Sequence, residues 1–255
     1  MKRALQKSST LVGVLMFLAL WQILAWIIRS DILPPPHTVL PIFARSLFGD
    51  LGLHFLASSG RVLASIGLAV VSAVPIGLGL GQMPKVNRVF APLIDIVYPI
   101  PKIVFLPVIY VLMGITDISK IFLITLIIFF QILVVVRDEA ASIHPELILS
   151  VRSLGAGRRA LYRFVYFPAS LPAVLTAVRV SIGTAIAVLF IAEQSLTEFG
   201  LGYYIVVETA QVLKYPEMFA GIIAMSLLGL ILYHIVSGLE RRCCHYLKLG
   251  SGAEN

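Results

Sequence analysis

Apolar positions in this chain do not alternate with polar ones. They gather into six long blocks, separated by shorter stretches that hold nearly all of the charge. The blocks are Leu11–Ile28, Val62–Gly81, Pro92–Ile115, Ile118–Val136, Ala169–Ala192 and Met218–Leu239. About 20 apolar residues in helical form cross a bilayer, so the pattern predicts six transmembrane helices in an all-α integral membrane fold. The third block is interrupted by Asp95, Lys102 and four prolines, which leaves Ile103–Ile115 as its uncharged part. Arg179 stands inside the fifth. The first block, behind Lys2, Arg3 and Lys7, resembles a secretory leader. Its apolar core exceeds the ~7–15 residues usual for one and no small-residue cleavage pattern comes after it, so it is read as a retained helix.

Composition agrees with the pattern. Of the 255 residues, 59% are hydrophobic and 13% charged, against about 25% charged in soluble domains, and the mean hydropathy is +0.97. Backbone groups facing lipid find no water to bond, which leaves helices or closed barrels. Continuous blocks are not the ten-residue alternating segments of a barrel. The net charge of +7 is spread over the ends of blocks rather than gathered on one soluble face, so nucleic acid is not an expected partner. Cys243 and Cys244 are adjacent, form no CxxC or metal spacing, and read as reduced thiols. No repeat or second soluble domain is visible, and residues 1–255 are taken as one transmembrane domain.

Orientation follows from charge. Placing the N-terminus in the cytoplasm puts Lys2, Arg3, Lys7, Lys85, Arg88, Arg137, Arg152, Arg158, Arg159, Arg163, Arg241, Arg242 and Lys248 inside. The outer loops then hold Asp31, Asp50, Asp117, Glu198, Glu208 and Glu217, as the positive-inside rule requires. Both termini face the cytoplasm. Outside, Pro34, Pro35 and Pro36 make a stiff exit from the first block, and Thr38 is placed to cap a short amphipathic stretch reaching Phe48. Between the fifth and sixth blocks, residues 195–218 are too polar to cross and too apolar for a wet loop. They predict a partly re-entrant or interface-packed helix.

The segment between the fourth and fifth blocks, about residues 142–168, is the odd one. Pro145 suits a first helical turn, Ser142 or His144 can cap it, Glu146 favours its positive end, and Gly155 and Gly157 can end it. Leu147, Val151 and Leu154 recur at i, i+4, i+7 as an apolar stripe, with Arg152 off it. Isolated helices below about 12–15 residues are marginal in water, so this one needs a surface: the chain's own helix ends, or a groove in a cytoplasmic partner. Behind it Arg158, Arg159 and Arg163 hold an amphipathic segment at the headgroup boundary, and Pro168 and Pro172 break that segment before the fifth block.

These residues resemble the cytoplasmic loop of binding-protein-dependent ABC importer permeases, whose pattern is E-A-A, three residues, G, nine residues, I-x-L-P. Aligning Gly155 with the motif glycine puts Leu149, Ser150 and Val151 at E-A-A, Val165 at the isoleucine and Phe167–Pro168 at L-P. The spacing fits, while the acid and alanines are missing and Leu149 offers apolar contact instead. A literal DEAA at 138–141 is a decoy, because Pro145 stands where the glycine would be. "YPIPKIVFLPVIYVLMGITDISKI" (98–121) and "IAEQSLTEFGLGYYI" (191–205) are similar to segments of the nitrate, sulfonate, taurine and bicarbonate type of permease. The resemblance covers about residues 55–245, with the span at 11–28 preceding it.

The resemblance implies a type I importer permease fold with a coupling helix between spans four and five. It implies two ATP-binding-cassette ATPase subunits as partners, a second permease copy forming a homodimer, and an external binding protein that delivers the solute. The chain contains no G-x-x-x-x-G-K-[ST], so it binds no cofactor of its own, and ATP and Mg are used by the ATPase. The docking residues are then Glu146, Leu147, Val151, Arg152, Leu154, Gly155 and Ala156, with Pro168 fixing the segment behind them. Lys102 and Arg179, charges within or beside spans, either line the pathway of an anionic solute or snorkel and cap helix ends. Glu193 and Asp95 suit inter-helix hydrogen bonds, His234 a packed or interfacial position rather than a ligand, and Gly77 with Gly81 a close helix approach inside the bundle. A stand-alone secondary transporter or channel is the rival reading, and it would call for more intramembrane acids or histidines. An embedded enzyme would need convergent His, Cys or carboxylate groups, which the sequence does not offer.

Overall fold

The computed structural model describes residues 2–194 and 197–244, with side chains from Val12 onward. Lys248 and the side chains of Lys2, Arg3 and Lys7, which charge assigns to the cytoplasmic side, lie outside the described residues. Every described element is helical. Helix α1 (Lys2–Ile28) leads through a proline-rich turn to α2 (Pro36–Ser46). Thr38 does not cap α2: the cap position is Pro35, no side chain bonds there, and Thr38 lies inside the first turn. Pro36 starts the helix instead, because its fixed φ suits the first turn and its missing N–H would have had no partner there.

Helix α3 (Asp50–Gln82) runs far beyond the uncharged block, since its first three turns carry His54 and Arg61. Helix α4 (Pro84–Val97) begins eight residues before the third block, and after a short turn a 3-10 segment (Lys102–Phe105) enters α5 (Leu106–Met113). The two halves are bent by 77°, so the third block is a broken element and not a straight helix. Pro99 and Pro101, neither able to donate to a helix, fall in that break. Helix α6 (Asp117–Ser142) starts with a capping box: Ser119 N–H donates to Thr116 Oγ1 and Thr116 N–H to Ser119 Oγ.

Helix α7 (Pro145–Ser153) comes next, then α8 (Arg158–Leu161), a π turn (Tyr162–Tyr166) and α9 (Phe167–Glu193). The expected break at Pro168 and Pro172 does not occur, for Arg158–Glu193 is one continuous apolar element. The π turn, in which the Phe167 N–H reaches back to the Tyr162 carbonyl, widens the helix just where Pro168 lacks an N–H. A short helix α10 (Leu201–Tyr203) and a second π turn (Tyr204–Ala210) connect to α11 (Tyr215–Cys243). Cys243 and Cys244 are free thiols, and burial pushes the Cys244 thiol above its ordinary range.

Among the described residues four elements are long and apolar enough to cross a membrane: Asp50–Gln82, Asp117–Ser142, Arg158–Glu193 and Tyr215–Cys243. The bent pair makes a fifth when counted as one, and Val12–Ile28 is a shorter apolar helix. The chain divides into two compact units, Met1–Ala57 with Glu193–Leu227, and Ser58–Ala192 with Leu228–Asn255.

Within the second unit α6 buries Ile124, Ile128, Ile132, Val136 and Ala140 at four-residue spacing, a single stripe down one helix face. Gly77 and Gly81 of α3 meet it. A Cβ on Gly77 would stand 3.0 Å from the Val136 side chain, and one on Gly81 would collide with the Arg137 carbonyl. The pair is therefore an internal contact of the bundle, as small residues at helix crossings allow.

Within the first unit Trp21 Nε1 donates to the Pro34 carbonyl (3.1 Å) and its ring stacks on Phe219 at 5.5 Å.

Candidate functional site

The segment from 145 to 157 is short, basic at one end and bare. None of the residues of α7 is buried. Leu147, Leu149 and Leu154 are 52%, 62% and 86% exposed, while Val151 and Ala156 are half-buried and Glu146 and Arg152 exposed. The helix is nonetheless well defined at its ends. Pro145 opens it, His144 occupies the cap position without a side-chain bond, and Ser142 belongs to α6, where its hydroxyl donates to the Glu139 carbonyl. Neither Ser142 nor His144 therefore caps it. At the far end Gly155 adopts φ +83° and its N–H bonds the Arg152 carbonyl at 2.9 Å. That left-handed conformation is open to glycine and costly to most side chains. Gly157 is extended and precedes α8. Leu161 and Val165, by contrast, are buried, so the chain behind α7 is anchored while α7 itself holds out leucines to its surroundings.

The connection between α9 and α11 is the opposite case. Glu193 is fully buried at the end of α9 and accepts the Gly202 N–H at 3.1 Å. Gly200 stands at φ +135°, and a Cβ there would strike the Glu193 carboxylate. His54, buried near the start of α3, accepts the Gly200 N–H on Nδ1 at 3.0 Å, and its Nε2 lies 3.4 Å from Glu208. Since Nδ1 accepts, the proton of the neutral ring sits on Nε2 and points at Glu208. Phe199, Tyr203 and Tyr204 surround the imidazole with ring centroids at 5.4, 6.1 and 5.4 Å. Leu201, Gly202, Tyr204, Ile205 and Thr209 are buried. Sequence reasoning assigned Glu193 to hydrogen bonding but missed His54. Its only signal was a lone histidine in the stretch that carries Asp50, Ser58, Ser59 and Arg61 ahead of the uncharged block.

Charges within or beside the spans are held. Lys102 Nζ donates to the carbonyls of Val97 (2.9 Å), Tyr98 (3.0 Å) and Ile100 (3.3 Å) at the break after α4, where the Val97 carbonyl also accepts the Ile100 N–H at 3.2 Å. The Phe130 ring lies 4.6 Å from the ammonium. Arg179 Nη1 donates to Glu240 Oε2 at 2.8 Å, and Thr176 donates to the other oxygen of Glu240 at 3.3 Å, tying α9 to α11. Asp95 and Arg137 pair between α4 and α6 at 3.8 Å, and Arg61 Nη2 meets Asp117 at 2.7 Å. His234 is exposed on α11, with Nδ1 2.8 Å from the Leu230 carbonyl. No cluster of three or more His, Cys, Asp or Glu able to hold a metal occurs among the described residues.

Residues 73–243 match the family model described as binding-protein-dependent transport system inner membrane component. The chain is 32% identical to the taurine transport system permease protein TauC of Escherichia coli, over 82% of this chain and 78% of that one. It is 26% identical to the putative aliphatic sulfonates transport permease protein SsuC of Bacillus subtilis, over 88% and 82%. Its fold is similar to a chain of the inward-facing MetNI methionine ABC transporter, with a TM-score of 0.62 at 20% identity, covering 76% of this chain and 96% of that one.

Proposed function

The chain belongs to the binding-protein-dependent transport system inner membrane components, the permease subunits of ABC transporters, and on that premise we propose that α7 is the coupling helix that docks into an ATPase subunit. One observation carries the reading: α7 is ordered at both ends yet buries no residue, and it presents Leu147 and Leu154 at the end of a braced segment. A helix too short to persist alone and apolar on a bare face is a surface awaiting a groove. Glu146, Leu147, Val151, Arg152, Leu154, Gly155 and Ala156 make the contact, and Pro168 fixes the segment behind. Leu149, where the family motif has its acid, adds apolar area to it.

In this reading two permease copies form a homodimer with six spans each, counting Val12–Ile28 and the bent pair. Both termini are cytoplasmic. Two ATPase subunits bind and hydrolyse ATP with Mg2+, and an external binding protein brings the solute. A rigid helix seated in a groove transmits closure of the ATPase pair to α6 and α9, between which it is strung. The solute is small and anionic, of the sulfonate, taurine or nitrate kind, as the names of the relatives suggest. Lys102 and Arg179 belong to the pathway, Arg179 as a net-neutral pair with Glu240.

Replacing Leu154 by Asp or Gly155 by Trp tests the docking. Both variants insert and pair normally, because Leu154 is 86% exposed and a Cβ on Gly155 would meet nothing within 4 Å, while uptake falls about tenfold or more as a charge or a bulky ring enters an apolar contact. Wild-type uptake in either variant contradicts the assignment.

A further inference from the structure

The first turns of the Arg158–Glu193 element have two unlike sides. Leu161 and Val165 are buried, whereas Arg158, Arg159, Arg163 and Phe164 are exposed. Arg159 and Arg163, about one turn apart, share with Gly157, Ala160 and Phe164 the wall of an open cleft of about 380 Å3. The Arg163 guanidinium lies 5.7 Å from the centre of the Phe164 ring, near enough for a cation–π contact that steadies the charge beside an apolar surface. Other arginines set against the long helices each meet an acid: Arg61 with Asp117, Arg137 with Asp95 and Asp138, and Arg179 with Glu240. Among the described residues, no carboxylate pairs with Arg158, Arg159 or Arg163. Guanidiniums so close in the chain repel one another, and an anion seated among them relieves that repulsion.

We propose that this cleft binds the headgroup of an anionic glycerophospholipid, its phosphate held by Arg159 and Arg163 and an acyl chain lying against Phe164. A guanidinium fork fits phosphate oxygens two at a time, as a lysine ammonium does not. Charge complementarity selects an anion, and the setting selects a lipid. The cleft stands at the end of an element long and apolar enough to cross a membrane, and Phe164 and Phe167 are exposed beside the arginines. The occupant is therefore apolar next to its charge. A free phosphate would leave both rings in water, and a zwitterionic phospholipid would bring its own cation toward the guanidiniums. The site lies behind the proposed docking surface of α7, shares none of its residues, and does not depend on that surface meeting an ATPase.

The test offers the complete detergent-solubilised transporter equal amounts of phosphatidylglycerol and phosphatidylcholine and counts the lipids retained by native mass spectrometry. The wild type keeps phosphatidylglycerol over phosphatidylcholine by about tenfold or more, as two basic groups at a headgroup supply. Arg159→Gln with Arg163→Gln brings the two lipids to within about twofold of each other. Arg159→Lys with Arg163→Lys keeps the charge without the fork and gives a preference of about threefold; it decides the matter should the glutamine pair fail to fold. Lys85→Gln with Arg88→Gln, which removes two exposed cations from α4, leaves the preference at the wild-type value. So does Leu154→Asp, in α7, even where it no longer transports, which separates a failed lipid site from a failed docking surface. Millimolar inorganic phosphate does not displace the lipid. Equal retention of the two lipids by the wild type, or an equal loss in the α4 pair, overturns the proposal. So does release of phosphatidylglycerol by inorganic phosphate, or a glutamine pair that keeps its lipid and sheds the ATPase instead.

Discussion

The α7 segment and the α9–α11 connection are built from the same materials and solve opposite problems. Both are a few helical turns strung between long apolar helices, and both turn on a glycine with positive φ, Gly155 at +83° and Gly200 at +135°. Around Gly200 every direction is taken: Glu193 on one side, His54 on another, three aromatic rings over the imidazole. Around Gly155 a Cβ would meet nothing within 4 Å. Leu201 is wholly buried and Leu154 is 86% exposed. The connection that closes on its own chain matches its polar groups internally, whereas the one proposed to meet another chain keeps its glycine end in order and leaves its leucines uncovered.

That contrast breaks most readily at Gly200. Gly200→Val meets both an unfavourable φ and the buried Glu193 carboxylate, and it lowers stability by about 3 kcal/mol or more, seen as a lower melting temperature of the purified permease in detergent. A matched pair comes next. Leu201→Ala costs about 2–4 kcal/mol in the same measurement, while Leu154→Ala stays within about 0.5 kcal/mol of wild type and still impairs uptake. Equal losses for the two leucines would erase the distinction drawn between the segments. His54→Ala removes the acceptor of the Gly200 N–H and the ring packed among three aromatics, at about 2 kcal/mol. At the small end, Thr116→Ala removes the cap of α6 and costs about 1 kcal/mol, whereas Ser142→Ala, at a position that caps nothing, leaves stability unchanged within error.

What the sequence made legible is what composition and spacing encode. The apolar blocks of α3, α6, α9 and α11 announce themselves, as do Gly77 and Gly81 at a crossing and Gly155 at a helix end. The break after α4 was visible only as prolines and charge in an apolar block, because the bend comes from where carbonyls find donors, and Lys102 reaching back to three of them is a tertiary fact. Pro168 misled for a related reason: proline breaks an α pattern, but a π turn absorbs it and nothing in local composition marks one. His54 was illegible because its partners, Gly200 and Glu208, lie about 150 residues away in the chain. The residues proposed to dock were legible as a motif. Their exposure is the property that only coordinates supply.

The most direct measurement is hydrogen exchange across residues 145–157, compared between the permease alone and the complete transporter with its ATPase subunits. Docking predicts that these amides exchange quickly in the isolated permease and slow by at least about tenfold in the complex, while amides of 200–210 are protected equally in both. Unchanged fast exchange in α7 after the ATPase has bound, or full protection before it has, contradicts the account.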